Sequence, residues 1–181
     1  MNLRNINRLF FNFKIEVEMK VTDKAVFETS KGKIVIGLYG DDMPVTVKNF
    51  IKYTEAGFYN KLIFHRVIPG FVIQGGGMLK AMLEKNAIAD PIKLEINPEI
   101  KHTKYTLSMA RTQDPNSATS QFFICTGECP SLDNNYAAFG TVLEGMEVVD
   151  DIAKVPTHTV KWYDDVPIEP IVIENAYLMN E

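Results

Sequence analysis

Eight short runs with an apolar period of two lie between Ala25 and Tyr177, and only two segments of helical period interrupt them. Ala25–Thr29 and Lys33–Tyr39 flank Ser30-Lys31-Gly32 and read as a hairpin, with Ile34, Ile36 and Leu38 alternating onto one face. Leu62–Arg66 and Phe71–Gln74 flank a Pro69-Gly70 turn, and Tyr105–Ala110, Gln121–Thr126, Ala137–Val142 and Ile171–Tyr177 complete the eight. Ile92–Ile96 is a weaker ninth run. A sheet of this many strands leaves exposed edges unless it closes on itself. The expected fold is therefore mainly β: a closed eight-stranded antiparallel barrel.

The two helical segments have recognisable ends. After Asp41-Asp42, Pro44 suits a first helical position, Val47, Phe50, Ile51 and Thr54 share a face, and Gly57 suits the C-terminal stop. Over Gly145–Val155, Glu144 and Glu147 favour the positive end of a helix dipole, Val148, Ile152 and Val155 form a stripe, and Pro156 ends the pattern. Two helices on a barrel are expected to cap its ends.

Residues 1–18 stand apart from 19–181, the expected barrel domain. Met1–Lys14 holds three of the 19 basic side chains and none of the 23 acidic ones. Its apolar run Leu9-Phe10-Phe11 is broken by Asn12 and is shorter than a secretory signal core, so this stretch reads as an unordered N-terminal extension. The whole chain carries a net charge of −4, which disfavours a partner bound by phosphate neutralisation, and no nucleic-acid partner is expected. No run approaches the roughly 18 apolar residues of a membrane span, so no membrane association is expected. Two cysteines, Cys125 and Cys129, are too few for a disulfide scaffold and fit a reducing compartment; they read as small hydrophobes rather than zinc ligands.

Elimination narrows the chemistry. There is no Gly-x-x-x-x-Gly-Lys-Ser/Thr loop, no Gly-x-Ser-x-Gly elbow and no His-Glu-x-x-His pair. Gly75-Gly76-Gly77 is followed by Lys80 where a dinucleotide fingerprint needs glycine, and reads as a turn. A Ser, His and Asp brought together from distant positions stays open. Two stretches remain: Phe64-His65-Arg66, leading through Pro69-Gly70-Phe71 to Gln74-Gly75-Gly76, and Ser120-Gln121-Phe122-Phe123-Ile124. Alternation predicts Phe64 and Arg66 on one face, Phe71 and Ile73 on one face, and Gln121 and Phe123 on one face. An arginine would then lie beside apolar groups.

In these two stretches the sequence resembles the cyclophilins, the cyclosporin-binding class of peptidyl-prolyl cis-trans isomerases, over about residues 20–178. The run Ala110-Arg111-Thr112-Gln113 and Tyr136 look like the bacterial subgroup. The resemblance implies an eight-stranded barrel capped by two helices, with a binding groove on its outer surface. It implies catalytic positions at Arg66, Phe71 and Gln74. Substrate-binding positions are implied at His65, Val72, Ala110, Arg111, Gln121, Phe123, Leu132 and Tyr136. The substrates implied are proline-containing peptides and unfolded or folding proteins, with a non-catalytic proline-binding module or chaperone as the alternative. A monomer in the cytoplasm is expected. A carrier of small apolar ligands would need a hollow barrel, which the many large inward residues oppose.

No cofactor is called for by such a reaction. The X–Pro amide is planar through delocalisation, and rotation faces about 18 to 20 kcal/mol, yet no covalent bond is made or broken. Differential binding of the twisted amide suffices, and a guanidinium offers several fixed donors and a lasting charge for it. Ser131 stands where cyclosporin-sensitive relatives carry tryptophan, so an aromatic contact to the drug is missing. Cyclosporin is expected to bind weakly; nanomolar inhibition of the purified protein would contradict this.

Overall fold

The computed structural model describes residues 18–180. The extension expected over residues 1–18 therefore lies, apart from Glu18, outside the described residues. The eight-stranded sheet runs β1 (Asp23–Thr29), β2 (Gly32–Leu38), β3 (Leu62–Ile68), β4 (Val72–Leu79), β5 (Thr106–Met109), β6 (Phe122–Cys125), β7 (Ala138–Glu144) and, last in the chain, β10 (Ile173–Leu178). Between β7 and β10 come helix α2 (Met146–Ile152) and a separate hairpin of β8 (Thr157–Val160) and β9 (Tyr163–Pro167). Helix α1 (Pro44–Glu55) lies between β2 and β3.

Strand order is β10-β1-β2-β7-β5-β6-β4-β3, and the named pairs are antiparallel. The two edges meet in a short seam: Lys61 N–H donates to Ile173 O at 2.7 Å, Phe64 N–H to Ile171 O at 3.0 Å, and Ile63 bridges Val172. Closure satisfies backbone groups that an open edge would present to other chains.

Inward residues fill the interior. Phe27, Tyr59, Phe64 and Phe122 are fully buried, with ring centroids of Phe27 and Phe122 5.4 Å apart and of Tyr59 and Phe122 5.5 Å apart. This packed interior excludes the hollow carrier. Helix α1 follows the end of β2 and drives Phe50 into the same cluster, 5.2 Å from Phe139 and 5.3 Å from Tyr59. At the other end α2 buries Val148, Val149 and Ile152 over the β1–β2 turn, so closely that a Cβ on Gly32 would meet Val148 at 2.7 Å.

Three sequence expectations change. Helix α2 stops at Ile152, about a turn short of Val155. Ile92–Ile96 forms no strand. Ile92 makes one bridge to Ala118, and Glu95 instead accepts the N–H groups of Val45 and Thr46 and the Thr46 hydroxyl, at 2.7 to 3.1 Å. It thereby serves the exposed donors at the start of α1, where Met43 gives no side-chain cap. Gly75-Gly76-Gly77 is not a turn but the middle of β4, with Gly76 at φ +88° in a bulge opposite Ile63 and Phe64.

Replacing Phe50 with Ala should destabilise the protein by about 3 to 5 kcal/mol, because it removes a buried ring that plugs a filled barrel. Urea unfolding monitored by circular dichroism measures the loss; a change below about 1 kcal/mol would show that the helix contributes little to the core.

Candidate active site

The site begins with a phase change in β3. Phe64 pairs with Gly75, but Arg66 pairs with Gln74, so His65 is an extra residue in the ladder. Phe64 and Val67 consequently both point into the barrel, while Arg66 points out and is exposed. The expectation that Phe64 and Arg66 share a face fails for this reason. On β4 the alternation is regular: Ile73 enters the barrel core, whereas Val72 faces outward and Phe71 packs with it. Phe71 and Ile73 therefore do not share a face. Gln121 and Phe123 do share one: Phe122 goes inward between them, Phe123 joins the outer cluster, and Gln121 accepts a hydrogen bond from Gln74 Nε2 at 3.1 Å.

Outside the barrel, Val72, Phe123, Cys125 and Cys129 form a second apolar cluster, flanked by Phe71, Ala110, Leu132 and Tyr136. Both cysteines are free thiols and act as packing groups; burial pushes the Cys125 thiol up, and Cys129 Sγ lies 3.3 Å from Phe71 O. Over this cluster opens a cavity of about 180 Å³. Its walls are Arg66, Phe71, Val72, Gln74, Ala110, Arg111, Phe123, Leu132 and Tyr136, nine of the eleven residues marked in the sequence. His65 and Gln121 instead line a neighbouring cavity that shares Arg66 and Gln74. That neighbour is also walled by Trp162, Tyr163, Asp164 and Asp165 of the β8–β9 hairpin and by Met78 and Glu84, none of which the sequence reading picked out. The signal for the hairpin residues was the run His158-Thr159-Val160 before Trp162-Tyr163, which is strand-like but has no glycine or asparagine to mark its turn.

Arg66 and Arg111 differ in what holds them. Among the described residues no carboxylate lies within ion-pair distance of Arg66. Arg111 is committed: Nε and Nη2 donate to Asn135 O at 3.2 and 2.9 Å, Nη1 donates to Thr112 O at 2.9 Å, and the guanidinium lies 4.6 Å from the Tyr136 ring centroid. It fixes the Tyr136 rim of the cavity. Tyr136 in turn meets Phe123 edge-on at 5.7 Å.

Beneath Phe123 lies a serine, histidine and aspartate assembled from distant positions. His102 Nδ1 is 2.9 Å from Asp133 Oδ1, and Nε2 is 2.9 Å from Ser108 Oγ. Burial pushes the His102 pKa down against the pull of Asp133, and the neutral ring donates a hydrogen bond from Nδ1 to Asp133 and accepts one at Nε2 from the Ser108 hydroxyl. Desolvation of Asp133 is outweighed by its bonds from the His102 backbone and ring, which hold its carboxyl low. Ser108 is completely buried, so no substrate carbonyl can reach it. The trio is a brace: His102 stacks on Phe123 at 6.0 Å, and Asp133 follows the 3₁₀ turn Pro130–Leu132 that carries Leu132.

The glycines let the strands approach. A Cβ on Gly77 would meet Gln121 Cγ at 2.6 Å, so the bare backbone leaves room for the glutamine to lie across β4. Ser120 donates to Gly76 O at 2.7 Å and its own carbonyl accepts from Tyr59 OH at 3.0 Å, which locks the start of β6 to that bulge.

His65 is buried with Nδ1 unpartnered among the described residues, and burial followed by the Arg66 charge lowers its pKa to about 4.

A family model described as cyclophilin type peptidyl-prolyl cis-trans isomerase/CLD matches residues 24–178. The chain is 47% identical to peptidyl-prolyl cis-trans isomerase B of Escherichia coli over 158 residues, covering 83% of this chain and 96% of that protein. It is 46% identical to peptidyl-prolyl cis-trans isomerase A of Dickeya dadantii, covering 84% of this chain and 83% of the relative. A crystal structure of a cyclophilin type peptidyl-prolyl cis-trans isomerase from Cryptosporidium parvum, determined in the presence of the dipeptide Ala-Pro, superposes with a TM-score of 0.74. That match has 29% identity and covers 87% of this chain and 99% of the other.

The His65 environment sets a pH dependence. Its folded pKa of about 4 lies below the ordinary 6.5, so as pH falls from 6.5 to 4 the unfolded chain takes up a proton that the folded one refuses. Stability should drop across that window by roughly 3 kcal/mol on this account. His65→Gln should flatten the profile by that amount in urea titrations at successive pH values; an unchanged slope would refute the assignment.

Proposed function

The chain belongs to the cyclophilin-type peptidyl-prolyl cis-trans isomerases, and we propose that Arg66 is the group through which it lowers the barrier to X–Pro rotation. The observation that carries this reading is the placement of an exposed guanidinium, without an ion-pair partner among the described residues, on the wall of an apolar cavity with room for a pyrrolidine ring.

The substrate is an X–Pro segment of a peptide or unfolded protein. Its proline ring enters between Phe71, Phe123, Leu132 and Tyr136, where it displaces water from apolar walls and needs no polar partner. The ring is then the fixed half of the amide and the acyl side is the half that turns. As conjugation is lost, the nitrogen becomes pyramidal and regains its lone pair, and the carbonyl swings off the plane. Both planar isomers lack these features, so a donor placed to meet them stabilises the transition state alone. Arg66 offers a rigid fork of donors at the cavity wall, and a guanidinium remains charged at neutral pH. Gln74 and Gln121, tied to each other, hold the edge of the groove and offer amide groups to the substrate backbone. Arg111 acts by positioning Tyr136 rather than by touching the reacting bond.

An exchange assay on an Ala-Pro peptide tests this. Arg66→Ala should lower kcat/KM by about 10²-fold to 10³-fold, the range for removal of a preorganised donor. Arg66→Lys, which keeps charge but loses the fork, should fall between the two. Equal rates for wild type and Arg66→Ala would remove the arginine from the mechanism and leave a module that only binds proline segments.

A further inference from the structure

The second cavity, beside the apolar one, is the larger of the two at about 490 Å³. Arg66 and Gln74 belong to both, so the cavities adjoin and this one is within reach of residues near a proline held in the apolar cavity. Its far wall is the β8–β9 hairpin, held against the barrel by a small apolar cluster of its own: Ile63, Met78, Met82, Val166 and Val172, with Val160 and Tyr163 packed on them. The wall is thus supported from beneath rather than hanging in solvent.

Its chemistry is unlike that of the proline cavity. Glu84, Asp164 and Asp165 line it, and among the described residues none of them has a lysine or arginine within ion-pair distance. Asp164 accepts the Thr159 hydroxyl at 2.7 Å, which fixes its direction without neutralising it. The one lysine or arginine lining the cavity is Arg66, at the junction. Trp162 at the hairpin turn is 78% exposed, the most exposed large hydrophobic side chain described, and tilts against Tyr163 at 5.7 Å. An indole left in water beside carboxylates offers an alkyl stem a surface to lie on and offers its cationic head a π face. Among the described residues, no three acidic, imidazole or thiol groups converge tightly enough to hold a metal ion. The carboxylates are spread along a groove, which suits a long side chain ending in a cation.

We propose that this cavity is a subsite for a basic side chain, so that the enzyme prefers X–Pro bonds with lysine or arginine within three residues of the proline. The inference rests on the X–Pro reading of Arg66 and the apolar cavity. Glu84, Asp164 and Asp165 provide the field, Trp162 the platform, and Arg66 rejects a competing cation at the inner end, which keeps the basic residue off the reacting bond.

The test uses peptides with one Ala-Pro core and lysine, alanine or glutamate at each position from three residues before the bond to three after it. At one or two positions kcat/KM for lysine should exceed that for glutamate about fivefold to tenfold in low salt, the sum of a few partly exposed charge pairs. The ratio should shrink to about twofold near 0.5 M salt, where screening is short-ranged. Glu84→Gln/Asp164→Asn/Asp165→Asn should bring the ratio close to one. Trp162 is the sole tryptophan of the sequence, so its emission reports occupancy directly: lysine-bearing peptides should change it and glutamate-bearing ones should not. If the parent Ala-Pro peptide is turned over but the lysine-to-glutamate ratio is flat at every position, the subsite is refuted while the X–Pro site stands. If the parent peptide is not turned over, both readings fall together.

Discussion

One extra residue in β3 decides on which side of the barrel wall Arg66 lies. Were the alternation regular through His65, a period of two would send Arg66 into the barrel beside Phe64, among fully buried rings. An unpaired guanidinium there would carry a desolvation cost far above the stability of a domain this size. The bulge turns it outward, Val67 takes the inward position, and the His65 imidazole is buried at the wall of the larger cavity. His65 bears the cost as a neutral ring with a depressed pKa, which is a much smaller penalty than a buried arginine. The glycine bulge of β4 lies opposite Ile63 and Phe64, and Ser120 ties that bulge to β6. Strand β3, strand β4 and the start of β6 therefore fix the arginine and the two glutamines as a unit.

Because the interior is full, recognition has to use the outer face. A second apolar cluster forms there on β4 and β6, supported from below by the buried Ser108–His102–Asp133 brace and at its rim by Arg111 over Tyr136. The brace has the hydrogen-bond pattern of a hydrolytic triad but not its access. Burial, rather than the set of residues, separates a structural network from a catalytic one here. The two arginines show the same distinction: one has its donors committed to backbone carbonyls, the other faces the cavity without an ion-pair partner among the described residues.

Much of the fold could be read from alternation. The eight barrel strands, both helices and Pro44 at the start of α1 follow from local period and turn chemistry, which depend on residues close in the chain. The readings that failed share a cause. Ile92–Ile96 has a strand-like pattern, but Glu95 is drawn to the N–H groups of α1 some fifty positions earlier. The β8–β9 hairpin was missed because Lys161 adopts φ 57° without being glycine or asparagine, so the usual turn signal is missing.

The sequence by itself determined the barrel and its caps, which are encoded in a repeating period, and the family resemblance, which is encoded in short motifs; that resemblance also marked the nine residues that the fold gathers around the smaller cavity. Tertiary structure alone decided the facing of Phe64 and Arg66, since a bulge is set by the pairing of two strands and leaves the composition of either unchanged, and that of Phe71, which precedes β4 and packs outward with Val72. It also decided that an acidic hairpin from the far end of the chain stands next to Arg66. Charge and burial act through space, and the residues that share that space are separated by about a hundred positions of sequence.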